Sequence, residues 1–343
     1  MSNIEISLII PVYNAKNTIE RLLDSIFRGN NKSCYEVILI NDGSKDNTEL
    51  IINKYIKANN INNLSYYAQE NRGVSASRNR GIELSQGKYI IFSDSDDYFN
   101  PGYIDYCLDM INSVNYDLIV QSYSIIEEKK KIDITITEAT VDKKDEILNL
   151  YYTLLREGIM NGPVVKIYRK DVITKNSIKF DEDIEFGEDL LFNLDVVNNI
   201  KSMKSENSHF YIYDRNNSVL TKKREEHYFE KRYKTWSKVR DKYEHYNLDK
   251  NDLYWAYIKI VYATCFRVFE SRKSTSYQKD KLSEIMSLED TKTILNNYKM
   301  QGIKEGVLLS ILKTNNVKII LIFSKILFKI KEVVPKSLNR VSM

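Results

Sequence analysis

Four times in the first hundred residues a short, mostly apolar run breaks off into polar residues. Ser7-Leu8-Ile9-Ile10-Pro11-Val12 ends at Tyr13-Asn14, after which Ile19, Leu22, Leu23 and Ile26 recur on one helical face. Glu36-Val37-Ile38-Leu39-Ile40 ends at Asn41-Asp42-Gly43-Ser44 and leads to a helix through Glu49 to Ala58. A third strand near Leu64 to Ala68 runs into Asn71-Arg72-Gly73 and a helix from Val74 to Ser85. A fourth, Lys88 to Phe92, ends in Ser93-Asp94-Ser95-Asp96-Asp97. Strands apolar on both faces and alternating with helices predict a parallel α/β sheet, whose ligands sit outside the carboxyl ends of the strands. Each of these polar loops lies at such an end.

Between Pro101 and Tyr213 the spacing predicts a helix over Tyr103–Val114, a strand over Asp117–Tyr123, a charged connection near Glu127–Lys131 and a second acidic stretch at Asp181–Asp189. Beyond Asn216 the chain reads as helical and charged, with aromatic residues recurring through 228–269 at bundle spacing. This places a catalytic domain at 1–216, with halves 1–100 and 101–216, before a basic helical region at 217–343. Val317–Val334 is amphipathic: Lys318, Lys325, Lys329, Glu332 and Lys336 share one narrow face, and Lys331 interrupts the apolar remainder. That helix fits docking on an anionic membrane surface, or packing on the bundle or a homodimer seam.

Charge sharpens the division. Residues 1–216 carry 25 Lys and Arg against 33 Asp and Glu, a net −8, whereas 217–343 carry 26 against 14, a net +12. A basic C-terminal third attracts anionic surfaces. Cys34, Cys107 and Cys265 are odd in number, with no CxxC pair, so neither a disulfide framework nor a structural zinc site is supported and a reducing, cytoplasmic setting is favoured. Met1-Ser2-Asn3-Ile4-Glu5 does not read as a signal peptide and no uncharged apolar run of membrane-spanning length occurs, so the expectation is a protein neither exported by that route nor crossing a bilayer.

The acids carry the chemistry. Asp94, Asp96 and Asp97 end an apolar strand and repel one another unless a cation or solvent compensates. A hard divalent ion takes oxygen ligands and keeps positions for substrate phosphates. The competing reading is a solvated turn or a helix cap, with Asp97 as the cap. Asp42, with Gly43 behind it, can accept hydrogen bonds from a flat ligand edge or serve as an Asx-turn. In the stretch around Asn71, helical spacing separates Arg78 from Arg80, so one faces a ligand and the other solvent. Glu188-Asp189 is either a helix N-terminal acid pair or a general base with a like-charged neighbour that raises its pKa. His209 is the one histidine near these acids, and His227, His245, Trp236 and Trp255 are assigned to packing or surface.

Taken in order, Ser7 to Asn14, Ile40 to Asp46, Asn71 to Gly81 and Asp94-Ser95-Asp96-Asp97 resemble the motif series of the bacterial family 2 glycosyltransferases. The resemblance is dense over residues 5–100 and thinner to about 220. It implies a GT-A fold, Rossmann-like with a mostly parallel central sheet flanked by helices, and an inverting transfer from a nucleotide sugar, usually a UDP-sugar. Carried over, it assigns the nucleotide-sugar pocket to Pro11, Val12, Tyr13, Asp42, Asn71, Arg78, Asp94 and Ser95. Asp96 and Asp94 are then the ligands of Mn²⁺ or Mg²⁺, and Asp189 the base with Glu188 its neighbour. Tyr211 to Ser218 resembles a later Tyr-x-Tyr-Arg segment, although Asp214 stands where Arg often follows the tyrosine.

The resemblance also implies a glycan acceptor, lipid-linked or free, in capsule, exopolysaccharide or other surface-glycan synthesis, at the cytoplasmic face of the membrane. Wall teichoic acid or protein glycosylation would use the same chemistry. A sugar nucleotidyltransferase would want a Gly-rich basic loop after the first strand, which Pro11-Val12-Tyr13-Asn14-Ala15 does not supply. No nucleic-acid module occurs, and homo-oligomerisation is left open by the sequence.

Overall fold

The computed structural model describes residues 4–28, 34–113, 115–128, 130–216, 227–246, 248–270, 274–300 and 303–333. Val114, Asn217, Ser218, Val334 and Lys336, named above, lie outside them. Strands β1 (Ile6–Val12), β2 (Tyr35–Asp42), β3 (Leu64–Gln69) and β4 (Tyr89–Phe92) alternate with helices α1 (Ile19–Phe27), α2 (Thr48–Asn59) and α3 (Val74–Leu84). Then come β5 (Tyr98–Phe99), α4 (Tyr103–Ser113), β6 (Leu118–Glu127), β7 (Lys130–Ile134), β8 (Ala139–Val141) and α5 (Lys144–Arg156). β9 (Lys166–Arg169), α6 (Lys170–Lys175), α7 (Glu188–Asn199) and β10 (Met203–Asp214) complete the sheet-bearing part. The remainder is helical: α8 (Tyr228–His245), α9 (Asn251–Glu270), α10 (Thr275–Ser287), α11 (Glu289–Asn297), α12 (Ile303–Lys313) and α13 (Val317–Val333).

The sheet runs β3-β2-β1-β4-β9-β6-β10-β5, with β7 beside β6 and β8 beside β10. β1 to β4 are mutually parallel, and every residue of β1, β2 and β4 is buried, as continuous apolar runs require. α1 closes one face with Ile19, Leu22, Leu23 and Ile26, all fully buried.

Beyond β4 the sheet is mixed. β9 is antiparallel to both β4 and β6, β10 is parallel to β6, and β5, β7 and β8 are antiparallel additions. The expectation of a mostly parallel sheet therefore describes β1 to β4 and the β6–β10 pair. Antiparallel neighbours can be joined by a turn where parallel ones need a crossover, and of these pairs β6–β7 is joined that way. The charged stretch Glu127–Lys131 is such a turn, because Glu127 pairs with Lys130 at the tip of the β6–β7 hairpin.

The chain divides into two compact units, Met1–Arg224 and Glu225–Met343. In the second, Trp236 packs on Tyr257 with ring centroids 4.6 Å apart, and the Tyr257 hydroxyl lies 2.6 Å from Thr291 Oγ1. Trp255 stacks on Tyr298, and the edge of His245 meets Tyr246. α13 packs on α9 and α10, burying Ile320 and Ser324. Its opposite side leaves Ile319, Ile322 and Ile326 exposed beside the exposed Lys318 and Lys325.

Candidate functional site

The loops at the carboxyl ends of β1 and β2 are laced to each other. Asn14 Oδ1 accepts from the Lys45 N–H at 2.8 Å, the Asn14 N–H donates to Ser44 Oγ at 3.0 Å, and the Ala15 N–H to Thr48 Oγ1 at 2.8 Å. Tyr13, between them, is 47% exposed, whereas Pro11 and Val12 are buried strand residues whose neighbours across the ladder are Ile40 and Asn41. Gly43 holds φ +70°, and a Cβ there would stand 3.0 Å from the Asn71 backbone nitrogen. Only glycine lets β2's loop approach the Asn71-Arg72-Gly73 turn this closely.

Asp42 ties that turn down. Its Oδ1 accepts from the Arg72 N–H at 2.9 Å and from Gln69 Nε2 at 2.8 Å, and its Oδ2 from the Gly73 N–H at 2.8 Å. Asn71 Nδ2 donates to the Asp42 carbonyl at 2.9 Å. A carboxylate offers about four lone-pair directions, so one is left for a ligand edge. Arg72 reaches Glu182 at 2.9 Å, and Arg80 lies over Tyr67 and donates to the Ala68 carbonyl at 3.0 Å, so neither joins the acids.

Arg78 does. It is 4% exposed, and its Nη1 stands 2.7 Å from Asp189 Oδ1 and 3.7 Å from Glu188 Oε1, with Nη2 3.1 Å from Asp94 Oδ1. One guanidinium on α3 thus joins the acid at the end of β4 to the pair at the start of α7. Its back is apolar: the guanidinium carbon lies 5.3 Å from the Phe180 ring centre, Phe180 stacks on Phe192 at 4.0 Å, and Phe92 meets both edge-on. Burial pulls the Arg78 pKa down, and the charges of Asp189, Asp94 and Glu188 more than restore it.

The acids feel the same setting. Burial raises the Asp189 carboxyl above its ordinary value, opposed by Arg78 and reinforced by Asp94. Glu188 is lifted to about 7, by burial first and by the adjacent Asp189 second. α7 begins immediately after Gly187, which holds φ +84°, so both acids occupy the first turn, where the helix dipole favours negative charge.

Asp96 follows Asp94 by two residues in the same loop. Burial, then the charge of Asp94, pushes its carboxyl up to about 6. Arg21 is turned to the Asp96 backbone carbonyl, at 2.7 Å, instead of its carboxylate. Asp94 raises the cost of ionising Asp96, and this pair of carboxylates, partly exposed at the open end of a sheet, is a donor set that suits a hard divalent cation. Among the described residues no group of three or more His, Cys, Asp or Glu is arranged to hold a metal, so the protein's share of a shell would be these two acids. Ser95 lies between them, half-buried. His209 lies in the irregular part of β10, its carbonyl accepting from Asn100 Nδ2, and does not join the acids.

Asp97 caps no helix. It is fully buried, accepting from the Tyr211 hydroxyl at 2.5 Å and the Asp214 N–H at 3.0 Å. Asp214, where the motif often has arginine, pairs with Arg21 at 2.5 Å, and Arg21 also lies 4.3 Å from the Tyr98 ring centre. Arg215 points instead toward Glu127, at 3.6 Å. The Asp94–Asp97 turn is therefore held by α1 and β10, where Tyr211 and Asp214 stand out in the sequence only as parts of a motif. Arg21 carries no local signal: on α1 it reads as an ordinary surface charge.

Residues 7–174 match the family model described as Glycosyl transferase family 2. EpsH of Bacillus subtilis (strain 168) is 34% identical over 180 residues, 51% of this chain and 50% of its own. The poly(ribitol-phosphate) beta-N-acetylglucosaminyltransferase TarP of Staphylococcus aureus (strain N315) is 30% identical over 179 residues, 51% of this chain and 52% of its own. This chain thus spans about half the length of these relatives. Among solved structures, S. aureus TarS 1-349 in complex with UDP-GlcNAc superposes with a TM-score of 0.70 at 18% identity, over 95% of this chain and 92% of that one. At that identity the likeness is one of fold.

Proposed function

Residues 7–174 belong to glycosyl transferase family 2, and from that premise we propose that the chain is an inverting glycosyltransferase moving a sugar from a nucleotide donor, a UDP-sugar, to an acceptor hydroxyl. The observation that carries this reading is Arg78, which draws Asp94 and Asp189 to either side of one buried cation. Such a transfer needs a positive centre for the departing diphosphate and a carboxylate to receive the acceptor's proton, close together. The names of the relatives agree, since TarP is named for N-acetylglucosaminyl transfer and TarS was solved with UDP-GlcNAc.

The residues then divide as follows. The rim formed by Pro11, Val12, Tyr13, Asp42 and Asn71 receives the nucleoside, with Asp42 offering its remaining lone pair to an N–H or hydroxyl. Asp94 and Asp96 would hold a divalent cation, Mn²⁺ or Mg²⁺, whose chemistry there is neutralisation of charge on a departing diphosphate. Asp189 takes the acceptor proton, and Glu188, kept partly protonated near neutral pH by burial and by Asp189, limits the negative charge around it. Arg78 orients Asp189 and Asp94 through its two nitrogens.

Incubating the protein with a panel of nucleotide sugars and Mn²⁺ or Mg²⁺ tests this directly. UDP release that depends on the cation is expected, and release of pyrophosphate, or no turnover of any sugar nucleotide, would refute the reading. Asp96→Ala should remove the cation-stimulated part, a loss of about 100-fold or more for a ligand of an ion that neutralises developing charge; stimulation unchanged in this variant would move the metal elsewhere.

The acceptor we place at a membrane surface, as a lipid-linked glycan of a surface polysaccharide or teichoic acid. What supports this is α13: Ile319, Ile322 and Ile326 make an exposed stripe flanked by Lys318 and Lys325, in a region of net charge +12. No helix among the described residues is long and apolar enough to cross a membrane, so contact through this helix would be peripheral. Replacing all three isoleucines by glutamate should cut co-sedimentation with phosphatidylglycerol vesicles by about tenfold or more while UDP release is unchanged. Equal sedimentation of the variant would exclude the stripe as the docking face.

A further inference from the structure

The turn Ile159–Val164, between α5 and β9, is gripped by its carbonyls. Val164 makes an isolated parallel bridge with Phe92, two residues before Asp94. Lys166, fully buried, donates from its ammonium to the carbonyls of Ile159 at 2.7 Å, Gly162 at 2.8 Å and Val164 at 3.2 Å. Asn193, also fully buried, donates from Nδ2 to the carbonyls of Met160 and Gly162, both at 2.9 Å. The Tyr168 hydroxyl holds Asn193 Oδ1 at 2.7 Å and the Pro163 carbonyl at 3.2 Å. Asn193 follows Asp189 by four positions in α7, so the two share a helical face.

Two features go beyond closing a turn. Val165, a β-branched residue, holds φ +56°, a conformation that costs energy and persists only where surrounding contacts impose it. The grip also includes a charge. A neutral amide suffices for two of these carbonyls, as Asn193 shows, whereas burying an ammonium costs several kcal/mol unless its environment compensates. All three ammonium protons are used, and the acid its charge acts on is Asp189. Arg78 alone faces three carboxyl groups, and Lys166 is the second cation near them.

We propose that Lys166 is a positioning residue of the site: its ammonium fixes the Ile159–Val164 turn against α7 and β4, making that turn a rigid acceptor-side wall and setting the place of Asp189. The assignment rests on the glycosyl-transfer reading for what Asp189 does, and on geometry alone for what Lys166 holds. Burial pushes the Lys166 pKa down to about 7 against the pull of Asp189, and a neutral amine, with two N–H groups, could not serve all three carbonyls.

The test compares wild type with Lys166→Met in the full chain, with Lys166→Gln, which keeps two donors without the charge, used in its place if the methionine variant does not fold. Amide exchange followed by mass spectrometry should accelerate about tenfold or more in the peptide spanning 159–164 and stay within about twofold in peptides from β1 and β2. For UDP release, kcat should fall about 10- to 100-fold with the KM for the UDP-sugar within about twofold, a split that general loosening would not produce. Unchanged exchange at 159–164 overturns the proposal, as does an unchanged kcat. If wild type itself turns over no sugar nucleotide, the glycosyl-transfer reading fails and the exchange result alone decides the fate of the Lys166 assignment.

Discussion

Asp189→Asn should lower turnover by about 100- to 10,000-fold, the range expected for loss of a general base. UDP affinity, read by calorimetry, should stay within about twofold, because the amide keeps an oxygen for Arg78 at nearly the same place. To serve as the proposed base Asp189 must be ionised, and burial raises its pKa against the opposing pull of Arg78. Turnover should therefore climb with pH along a limb above the ordinary aspartate range, and the variant should lose that limb. A variant that binds UDP poorly yet turns over normally at saturation would make Asp189 a donor-binding residue.

Arg78→Met should destabilise the first unit strongly. The side chain is 4% exposed and faces Asp94, Glu188 and Asp189 together, and removing one partner of a buried ion pair typically costs about 3–5 kcal/mol. Part of that loss can be regained by protonation. The Glu188 carboxyl is already lifted to about 7, and without Arg78 it would rise further. A group with a folded-state pKa above its unfolded value favours the fold at low pH and loses that contribution as pH rises. The deficit of the variant, measured by urea unfolding, should thus be smaller at pH 5 than at pH 8. Arg78→Lys should fall between, since an ammonium keeps the charge but not the fork that spans two carboxylates. An unfolding midpoint for Arg78→Met equal to that of wild type at pH 8 would show that the three acids are solvated without it.

What the sequence reveals of this architecture follows the range of the interactions. β1 to β4 announce themselves because a strand covered on both faces must be apolar throughout, and Asp42 and Asp94 stand out as the first charges after such runs. The separation of Arg78 from Arg80 is likewise local, a matter of helical angle. The antiparallel course of β9 is not, because four residues of strand carry no mark of direction. Asp97 shows the limit most clearly: next to two other acids it reads as one more charge in a turn, and its partners lie more than a hundred residues on, at Tyr211 and Asp214. Arg21 and Lys166 look like ordinary charged positions on a helix and a strand, and only the carbonyls and acids brought to them by distant segments make them otherwise. Asp42 is a different case. Its place at a strand end is legible, but the donors that occupy most of its carboxylate are backbone N–H groups, which every sequence has.

The anchoring of the Asp94–Asp97 turn by Tyr211 and Asp214 bears on where this molecule can be cut and recombined. The family match stops at residue 174, forty residues short of the strand end that clamps the acids. A chimera joined at that border would inherit Asp94, Asp96 and Asp97 from one parent and their buttress from the other, with the fit between Asp97 and the incoming tyrosine left to chance. The smallest portable piece of this site accordingly closes with β10.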